Sequence, residues 1–225
     1  MAAFKGFGKD ALAFFKALAF HQNKAWFDDN KPLYQRDILD PMVALLDDLT
    51  AAFARRRTPL RATSKSSIFR IHRDVRFAKD KSPYKTHCGA VMTRSGTKMD
   101  NGLVYIHIDP EGSFAAAGFY HPEPADLARL RKAMARDGGK PLLAVTRALK
   151  KGKLELEEGS QLARVPRGFE ALKGGPVDGA IRLKSLIVEE AFPARLVTSP
   201  KLADALLDFT KRAMPLLDFG WKALG

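Results

Sequence analysis

The spacing of hydrophobic residues predicts helices in the first quarter of the chain. Asp10 is a plausible N-cap for a helix whose inward stripe consists of Leu12, Phe15, Leu18 and Ala19. A short helix anchored by aromatic residues is expected over residues 24–30, and Asp40-Pro41 has the pattern of an N-cap followed by a proline in the first helical turn. The helix after it is amphipathic, with its apolar face formed by Met42, Leu45, Leu46, Leu49 and Phe53.

From about residue 66 the hydrophobic period changes to two, which is typical of a strand. Between residues 68 and 77, one face carries Phe69, Ile71, Val75 and Phe77, and the other carries Arg70, His72, Asp74 and Arg76. Arg73 falls on the apolar side. This position indicates either burial against a carboxylate or a bulge that changes the register.

Further strands are predicted over residues 87–93, 103–109, 114–120 and 185–190, with helices over 124–136, 141–150 and 177–184. A final helical region follows Ser199-Pro200 and contains Pro215, which can kink or divide it. Consecutive strands with hairpin-length connections favour antiparallel pairing. We therefore predict a single α+β domain over residues 1–225, with a central, mainly antiparallel sheet flanked by N-terminal and C-terminal helices.

The distribution of charge adds a functional expectation to this fold. The chain has a net charge of +13. Residues 55–100 contain 13 Lys/Arg and 3 Asp/Glu, which gives +10, whereas the segments 1–54, 101–160 and 161–225 carry −1, +1 and +3. Because the excess is concentrated in about one fifth of the chain, we expect a local positive field in a groove or a pocket.

Other features exclude several classes of protein. No stretch approaches the roughly 20 uncharged apolar residues of a membrane helix, and Lys5, Lys9 and Lys16 interrupt the N-terminal apolar run, unlike in a secretory signal. Cys88 is the only cysteine, so an internal disulfide and a cysteine-based zinc site are excluded. These observations predict a soluble cytoplasmic protein without membrane contact.

The strongest candidate site is the segment RIHRDVRFAKDKSPYKTH, residues 70–87. It contains six cations and two carboxylates, so its charges cannot all be neutralised internally, and arginine forks suit phosphate or carboxylate. The rigid Ser82-Pro83-Tyr84 turn adds a phenol that can hydrogen-bond, and Arg167 and Lys184 could extend the site. The predicted ligand-binding residues are Arg70, Arg73, Asp74, Arg76, Lys79, Lys81, Tyr84, Lys85, Arg167 and Lys184. The alternative is a solvated edge strand held by Arg–Asp pairs.

Several blocks resemble the uncharacterised family known as domain of unknown function 2461. They are FKGFGKDALAFF, NKAWFDDNKPLY, RIHRDVRFAKDKSPYKTH, GFYHPEPADLARLRKAM, VPRGF and RLKSL, and they are spread over nearly the whole chain. The family has no assigned activity, cofactor or substrate, so the resemblance supports the fold and the site without implying a reaction. The family pattern also implies an acidic residue and a histidine shortly after PRGF, but residues 170–175 here read EALKGG, with no histidine.

Several histidines are candidate metal ligands. His107 and Asp109 are two residues apart on a predicted strand and share a face, as do His72 and Asp74, and His121 follows a neighbouring strand. Two histidines and a carboxylate can form a metal triad, but the sequence does not place a third ligand, so neither a metal nor a cofactor is predicted. His87 and Cys88 point to opposite faces of a strand, which favours a buried structural thiol over a nucleophile–base pair.

Three functions compete at this point. The leading prediction is the binding of a small anionic ligand in an Arg/Lys-rich pocket, in a protein that could also be an enzyme. The second is nucleic-acid binding through the basic region 55–98, and the third is a non-enzymatic structural or partner-binding role. The oligomeric state is not predicted.

Overall fold

The computed structural model describes residues 3–76 and 79–225. The helices before the sheet are α1 (Ala11–Phe20), α2 (Lys24–Tyr34), α3 (Asp40–Arg55) and α4 (Ser64–Ser67). The strands are β1 (Cys88–Met92), β2 (Leu103–Ile108), β3 (Ser113–Phe119) and β4 (Leu186–Phe192). The later helices are α5 (Pro124–Ala135), α6 (Lys140–Lys151), α7 (Asp178–Arg182), α8 (Ala194–Val197) and α9 (Lys201–Leu224), and α9 runs through Pro215 without a break.

The predicted fold class is confirmed. The strands form a four-stranded antiparallel sheet in the order β1-β2-β3-β4, and helices precede and follow it in the chain. Each of the four strands lies within two residues of a predicted one. In β2 the side chains alternate between half-buried and buried, because successive residues point to opposite faces of the sheet. One face of β2 is therefore packed in the core, and the other is partly open.

α2 and α3 are joined by a π-helical turn over Gln35–Leu39, so residues 24–55 form one continuous helical run. Pro41 lies in the first turn of α3, as its sequence pattern predicts, but Asp40 is the first residue of α3 and the N-cap position is occupied by Leu39. Proline has no amide proton and clashes with the carbonyl four residues before it. The wider turn just before Pro41, in which the Asp40 N–H donates to the Gln35 carbonyl, allows the helix to continue.

The chain divides into two compact units. The first comprises Met1–Asp100, Tyr105–Ala115 and Ala191–Leu207, and the second comprises Asn101–Val104, Ala116–Glu190 and Asp208–Gly225. Fully buried side chains of the first unit include Phe15, Ile38, Met42, Leu46, Met92 and Ile106, and those of the second include Phe119, Leu130, Leu142, Val188 and Leu216. The single-domain organisation stays a prediction. Within the described ranges, no helix combines the length and the apolar character that a membrane crossing needs.

Residues 68–76 do not form the continuous strand that their alternation predicts. Isolated antiparallel bridges join Ile68 to Ala90 and His72 to Tyr84. The predicted two-sidedness nevertheless holds over residues 69–76, since odd-numbered positions are buried or half-buried and even-numbered positions are exposed. Phe77, the last residue of the predicted strand, lies outside the described residues.

Candidate functional site

Two arginines of the basic segment are neutralised within it. The Arg73 guanidinium lies 2.8 Å from the Asp80 carboxylate, and the Arg76 guanidinium lies 2.7 Å from Asp74. Arg73 is half-buried, which confirms the first explanation for its place on the apolar side: it lies against a carboxylate. We call Arg73 and Arg76 the paired arginines. At these two arginines, the geometry is that of the alternative prediction, in which Arg–Asp pairs hold a solvated segment.

The other predicted ligand-binding residues of the segment differ in their exposure to solvent. Lys81 is exposed and donates to the Val75 carbonyl at 2.9 Å, and Lys79 is exposed. Tyr84 is buried, with its ring stacked on Phe27 at a centroid distance of 4.5 Å. Its backbone N–H donates to the Gln22 side chain at 3.0 Å. The phenol ring of Tyr84 is thus part of the core of the first unit.

Two lysines lie around the Phe69 ring, and Arg70, which the alternation places on the other side of the segment, acts on both through its charge. The Lys85 ammonium is 5.5 Å from the centroid of the Phe69 ring, and the Lys98 ammonium is 5.1 Å from it. Arg70, the residue after Phe69, is exposed. We call Arg70, Lys85 and Lys98 the cation cluster. No ion pair to any of the three is found within residues 3–76 and 79–225.

The electrostatics of the cation cluster reflect this lack of carboxylate partners. Burial lowers the pKa of Lys85 below its usual value, and the positive charges of Arg73 and Arg70 lower it further. Burial likewise lowers the pKa of Lys98, with Arg70 and Lys85 acting in the same direction. The two lysines are therefore partly desolvated and repelled by each other and by Arg70, a situation that an anion would relieve.

The same sheet face continues from Phe69 through aromatic side chains of β2 and β3. Tyr105 meets Phe69 edge to face at a centroid distance of 6.0 Å, and His107 stacks on Phe114 at 4.6 Å. The Tyr105 hydroxyl lies 2.9 Å from His107 Nδ1, within hydrogen-bond distance. Gly89 permits this arrangement, since a Cβ there would lie 2.6 Å from the Tyr105 hydroxyl oxygen.

His107 belongs to a second group, the histidine cluster, which consists of His87, His107 and Asp109. His107 Nε2 is 3.4 Å from Asp109 Oδ2, and His87 Nδ1 is 3.9 Å from the same oxygen. The two imidazole centroids are 4.5 Å apart. One potential ligand atom from each residue lies within 4.8 Å of the others, and the three are the one such group among the described residues.

Both imidazoles of the histidine cluster resist protonation. The pKa of His87 is lowered to about 4, chiefly by burial. Repulsion from His107, Lys85 and Arg73 acts in the same direction, whereas the negative charge of Asp109 opposes the shift. Burial also lowers the pKa of His107, against the attraction of Asp109. Neutral imidazoles therefore stand beside Asp109, and the nearby cations contribute to that state.

A cavity of about 690 Å³ opens beside the histidine cluster. This volume is within the usual range of small-molecule sites. Its lining includes Phe15, Lys16 and Phe20 from the α1 region, together with Thr86, His107 and Asp109. None of the ten ligand-binding residues predicted from the sequence lines this cavity. Lys85 and Lys98, which lie over Phe69, are thus on the same sheet face as the histidine cluster but outside the cavity wall.

The remaining candidates lie apart from these clusters or in the second unit. Arg167 and Lys184 are exposed residues of the second unit, and their contribution to the site stays a prediction. His121 also belongs to the second unit, and His72 packs against Tyr84 at a centroid distance of 5.2 Å. Cys88 is buried, which raises its pKa to about 12 and suits a structural thiol.

Two features of the site are not predicted from the sequence. One is the place of Lys98 in the cation cluster, and the other is the contact between His87 and His107. Lys98 lies in the connection between β1 and β2, 29 positions after Phe69 in the chain, and no local pattern links the two. A signal did exist for His87. It immediately precedes β1, the sheet neighbour of the strand that carries His107.

Comparison with known proteins supports a family but no activity. The model of the family described as "Conserved hypothetical protein (DUF2461)" matches residues 10–219. No significant match to a curated protein or to a solved structure is found. The match spans nearly all of the chain, including both clusters of the site.

Proposed function

The chain belongs to the DUF2461 family, whose description names no activity, and we propose from the geometry of its site that it binds a small anionic ligand through the cation cluster. The ligand class is a phosphate- or carboxylate-bearing small molecule. The observation that carries the proposal is the pair of ammonium groups of Lys85 and Lys98 over one aromatic ring, without a carboxylate partner in the described part of the chain.

An unpaired cation group of this kind opposes folding. Like charges repel one another, and partial burial removes some of the water that would screen them. The paired arginines show that other cations of the same segment do have carboxylate partners close by in the chain. The absence of such a partner beside the cation cluster is therefore the feature that an anionic ligand would explain.

The donors also match the chemistry of an anion. Arg70 offers a planar fork that can hold two oxygens of a phosphate or carboxylate, and Lys85 and Lys98 add less directional charge. The Phe69 ring beneath the lysines excludes water from one side and strengthens the remaining interactions. Each charge-assisted hydrogen bond is expected to change the affinity by about 10- to 100-fold.

The test compares ligand binding in two double variants. Inorganic phosphate and pyrophosphate are titrated against the wild-type protein by calorimetry and thermal shift, at an ionic strength held constant with chloride. We expect both ions to raise Tm and to bind to the wild-type protein. Lys85→Met/Lys98→Met should lose this binding, since it removes both ammonium groups while keeping the length of the side chains.

The matched control is Lys79→Met/Lys81→Met, which removes the same charge from the same basic segment. Both of its lysines are exposed and lie outside the cation cluster. This control should bind phosphate as the wild-type protein does. Equal loss in the two double variants would show a general effect of net charge and would refute the proposed site, as would wild-type binding in Lys85→Met/Lys98→Met.

The same proteins distinguish the proposal from nucleic-acid binding. A mixed-sequence DNA or RNA duplex bound through the basic region 55–98 would give an affinity that falls steeply with the logarithm of salt concentration. We expect no such retention at physiological salt. Steep, salt-dependent binding without a phosphate-induced rise in Tm would favour the nucleic-acid function instead. A cytoplasmic location belongs to this proposal.

A further inference from the structure

We propose that His87, His107 and Asp109 form a binding site for a divalent transition-metal ion. The inference does not depend on the anionic ligand, because it uses different side chains and a different experiment. It assigns a role to the histidine cluster, which the proposed anion site does not use.

The donor set identifies the class of ion. Two imidazole nitrogens and one carboxylate oxygen are ligands typical of zinc, iron(II) and cobalt(II), and they leave coordination positions for water or a substrate. Calcium and magnesium prefer sets made of oxygen alone. The histidine cluster therefore favours a transition metal over either of these hard cations.

The spacing of the donor atoms suits such an ion. Two ligand atoms about 2.1 Å from a tetrahedral zinc lie about 3.4 Å from each other. His107 Nε2 and Asp109 Oδ2 are 3.4 Å apart. His87 Nδ1 is 3.9 Å from Asp109 Oδ2, so a small rotation of the His87 ring brings it to the same distance. The half-buried surroundings of all three residues limit how far they can spread apart.

Two of the three ligands are held in place by hydrogen bonds to their other polar atoms. His107 Nδ1 is 2.9 Å from the Tyr105 hydroxyl, which leaves Nε2 for the ion. Asp109 Oδ1 accepts a hydrogen bond of 2.8 Å from the Glu111 backbone N–H, which leaves Oδ2 directed at the histidines. Such supporting hydrogen bonds orient metal ligands in known sites.

The position of the histidine cluster at the wall of the cavity makes it accessible to ligands. His107 and Asp109 line the 690 Å³ cavity, so an ion beside them is reachable by a small molecule. Lys85 and Arg73 are positive neighbours of His87 and disfavour a cation there. The affinity therefore depends on the three ligands rather than on the surrounding field, and the loss of one ligand should abolish binding.

The experiment uses cobalt(II) as the probe, because its visible absorption reports the coordination. Purified full-length protein is stripped with a chelator and titrated with cobalt(II), and zinc is then added as a competitor. We expect one equivalent of cobalt(II) to bind and zinc to displace it, whereas magnesium and calcium do not. His87→Ala and Asp109→Asn should lose the absorption band.

The other histidines provide the controls. His21→Ala and His72→Ala should bind cobalt(II) as the wild-type protein does, since neither residue belongs to the histidine cluster. Tyr105→Phe removes only the supporting hydroxyl and should weaken binding by about 10- to 100-fold. Binding that survives in both His87→Ala and Asp109→Asn, or the absence of cobalt(II) binding in the wild-type protein, would overturn the proposal.

A measurement on the unmodified chain guards against variants that fail to fold. In spectra of protein labelled with ¹⁵N at histidine, zinc, which is diamagnetic and perturbs signals only locally, should shift the imidazole signals of His87 and His107. The signals of His21, His72 and His121 should stay in place. Shifts confined to these three histidines would contradict the assignment, whatever the behaviour of the variants.

Discussion

The paired arginines and the cation cluster come from one basic stretch of chain, but their charges are balanced differently. Arg73 and Arg76 each lie within 3 Å of a carboxylate that is at most seven residues away in sequence. The lysines of the cation cluster instead share the Phe69 ring and have no ion pair in the part of the chain that the structure describes. A high local charge therefore does not by itself mark a binding site.

The difference shows which cations are available to a ligand. A paired arginine must give up its carboxylate before it can bind an anion, and that exchange offsets most of the gain. An unpaired lysine beside other cations gains the full attraction and loses repulsion at the same time. The binding site that we propose therefore uses Arg70 and Lys85 from the predicted segment 70–87, together with Lys98 in the next connection.

The largest effect is expected from Lys98→Glu, which would convert the unpaired group into a paired one. A carboxylate over Phe69 would neutralise Arg70 and Lys85 and would compete with any bound anion. We expect the affinity for phosphate to fall by about 100-fold or more. Calorimetric titration with phosphate at constant ionic strength measures this change.

Lys81→Glu is the control for this reversal, because it alters the net charge by the same amount. Lys81 is exposed and its ammonium donates to the Val75 carbonyl, away from the cation cluster. The control should therefore change the affinity for phosphate only slightly. An equal fall in both variants would mean that long-range charge, and not the unpaired group, governs binding.

A smaller effect, of opposite sign in the two regions, is expected on stability. Arg73→Met removes the partner of Asp80 and should lower Tm by about 2 °C. Lys85→Met relieves repulsion within the cation cluster and should raise Tm by a similar amount, about 2 °C. Thermal unfolding in a buffer without phosphate or sulfate measures both changes. A fall in Tm for both variants would remove the distinction between the paired arginines and the cation cluster.

The fold could be predicted from the sequence where a local period determines the element. β2 follows from alternation over six residues, β1 and β3 are short runs of mostly apolar residues, and α5 and α6 follow from helical stripes. Over residues 69–76 side-chain alternation correctly gives the buried and exposed sides, but ladder pairing is limited to isolated bridges. Side-chain alternation is a local property, whereas continuous pairing needs a partner strand in register.

The site could be predicted only in part, for a similar reason. The contact of Arg73 with a carboxylate is among the predicted explanations, and the carboxylate proves to be that of Asp80, in the same short segment. The approach of Lys98 to Phe69 depends on how the β1–β2 connection folds back, and the meeting of His87 with His107 depends on the order of the strands. Contacts between distant parts of a chain follow from the spacing of its residues only where the order of the strands is predicted as well.

The smallest effects are expected in the pH dependence of stability, where the two regions act at opposite ends of the scale. Burial and positive neighbours lower the pKa of Lys85 and Lys98 in the folded state. The unfolded chain therefore binds more protons between those values and the ordinary 10.5. The free energy of unfolding should rise with pH across that window.

The carboxylates of the paired region act in acid. Hydrogen bonds, chiefly from Arg76 to Asp74 and from Ser82 to Asp80, lower the pKa of these carboxyls from 3.8. Their contribution to stability is complete above 3.8 and is lost as the pH falls through the lower folded-state values. Urea unfolding at a series of pH values should show that Lys85→Met/Lys98→Met removes only the alkaline rise, and that Asp74→Asn/Asp80→Asn removes only the acid loss. An alkaline rise that persists in the lysine variant would show that other groups produce it and that the cation cluster is not under electrostatic strain.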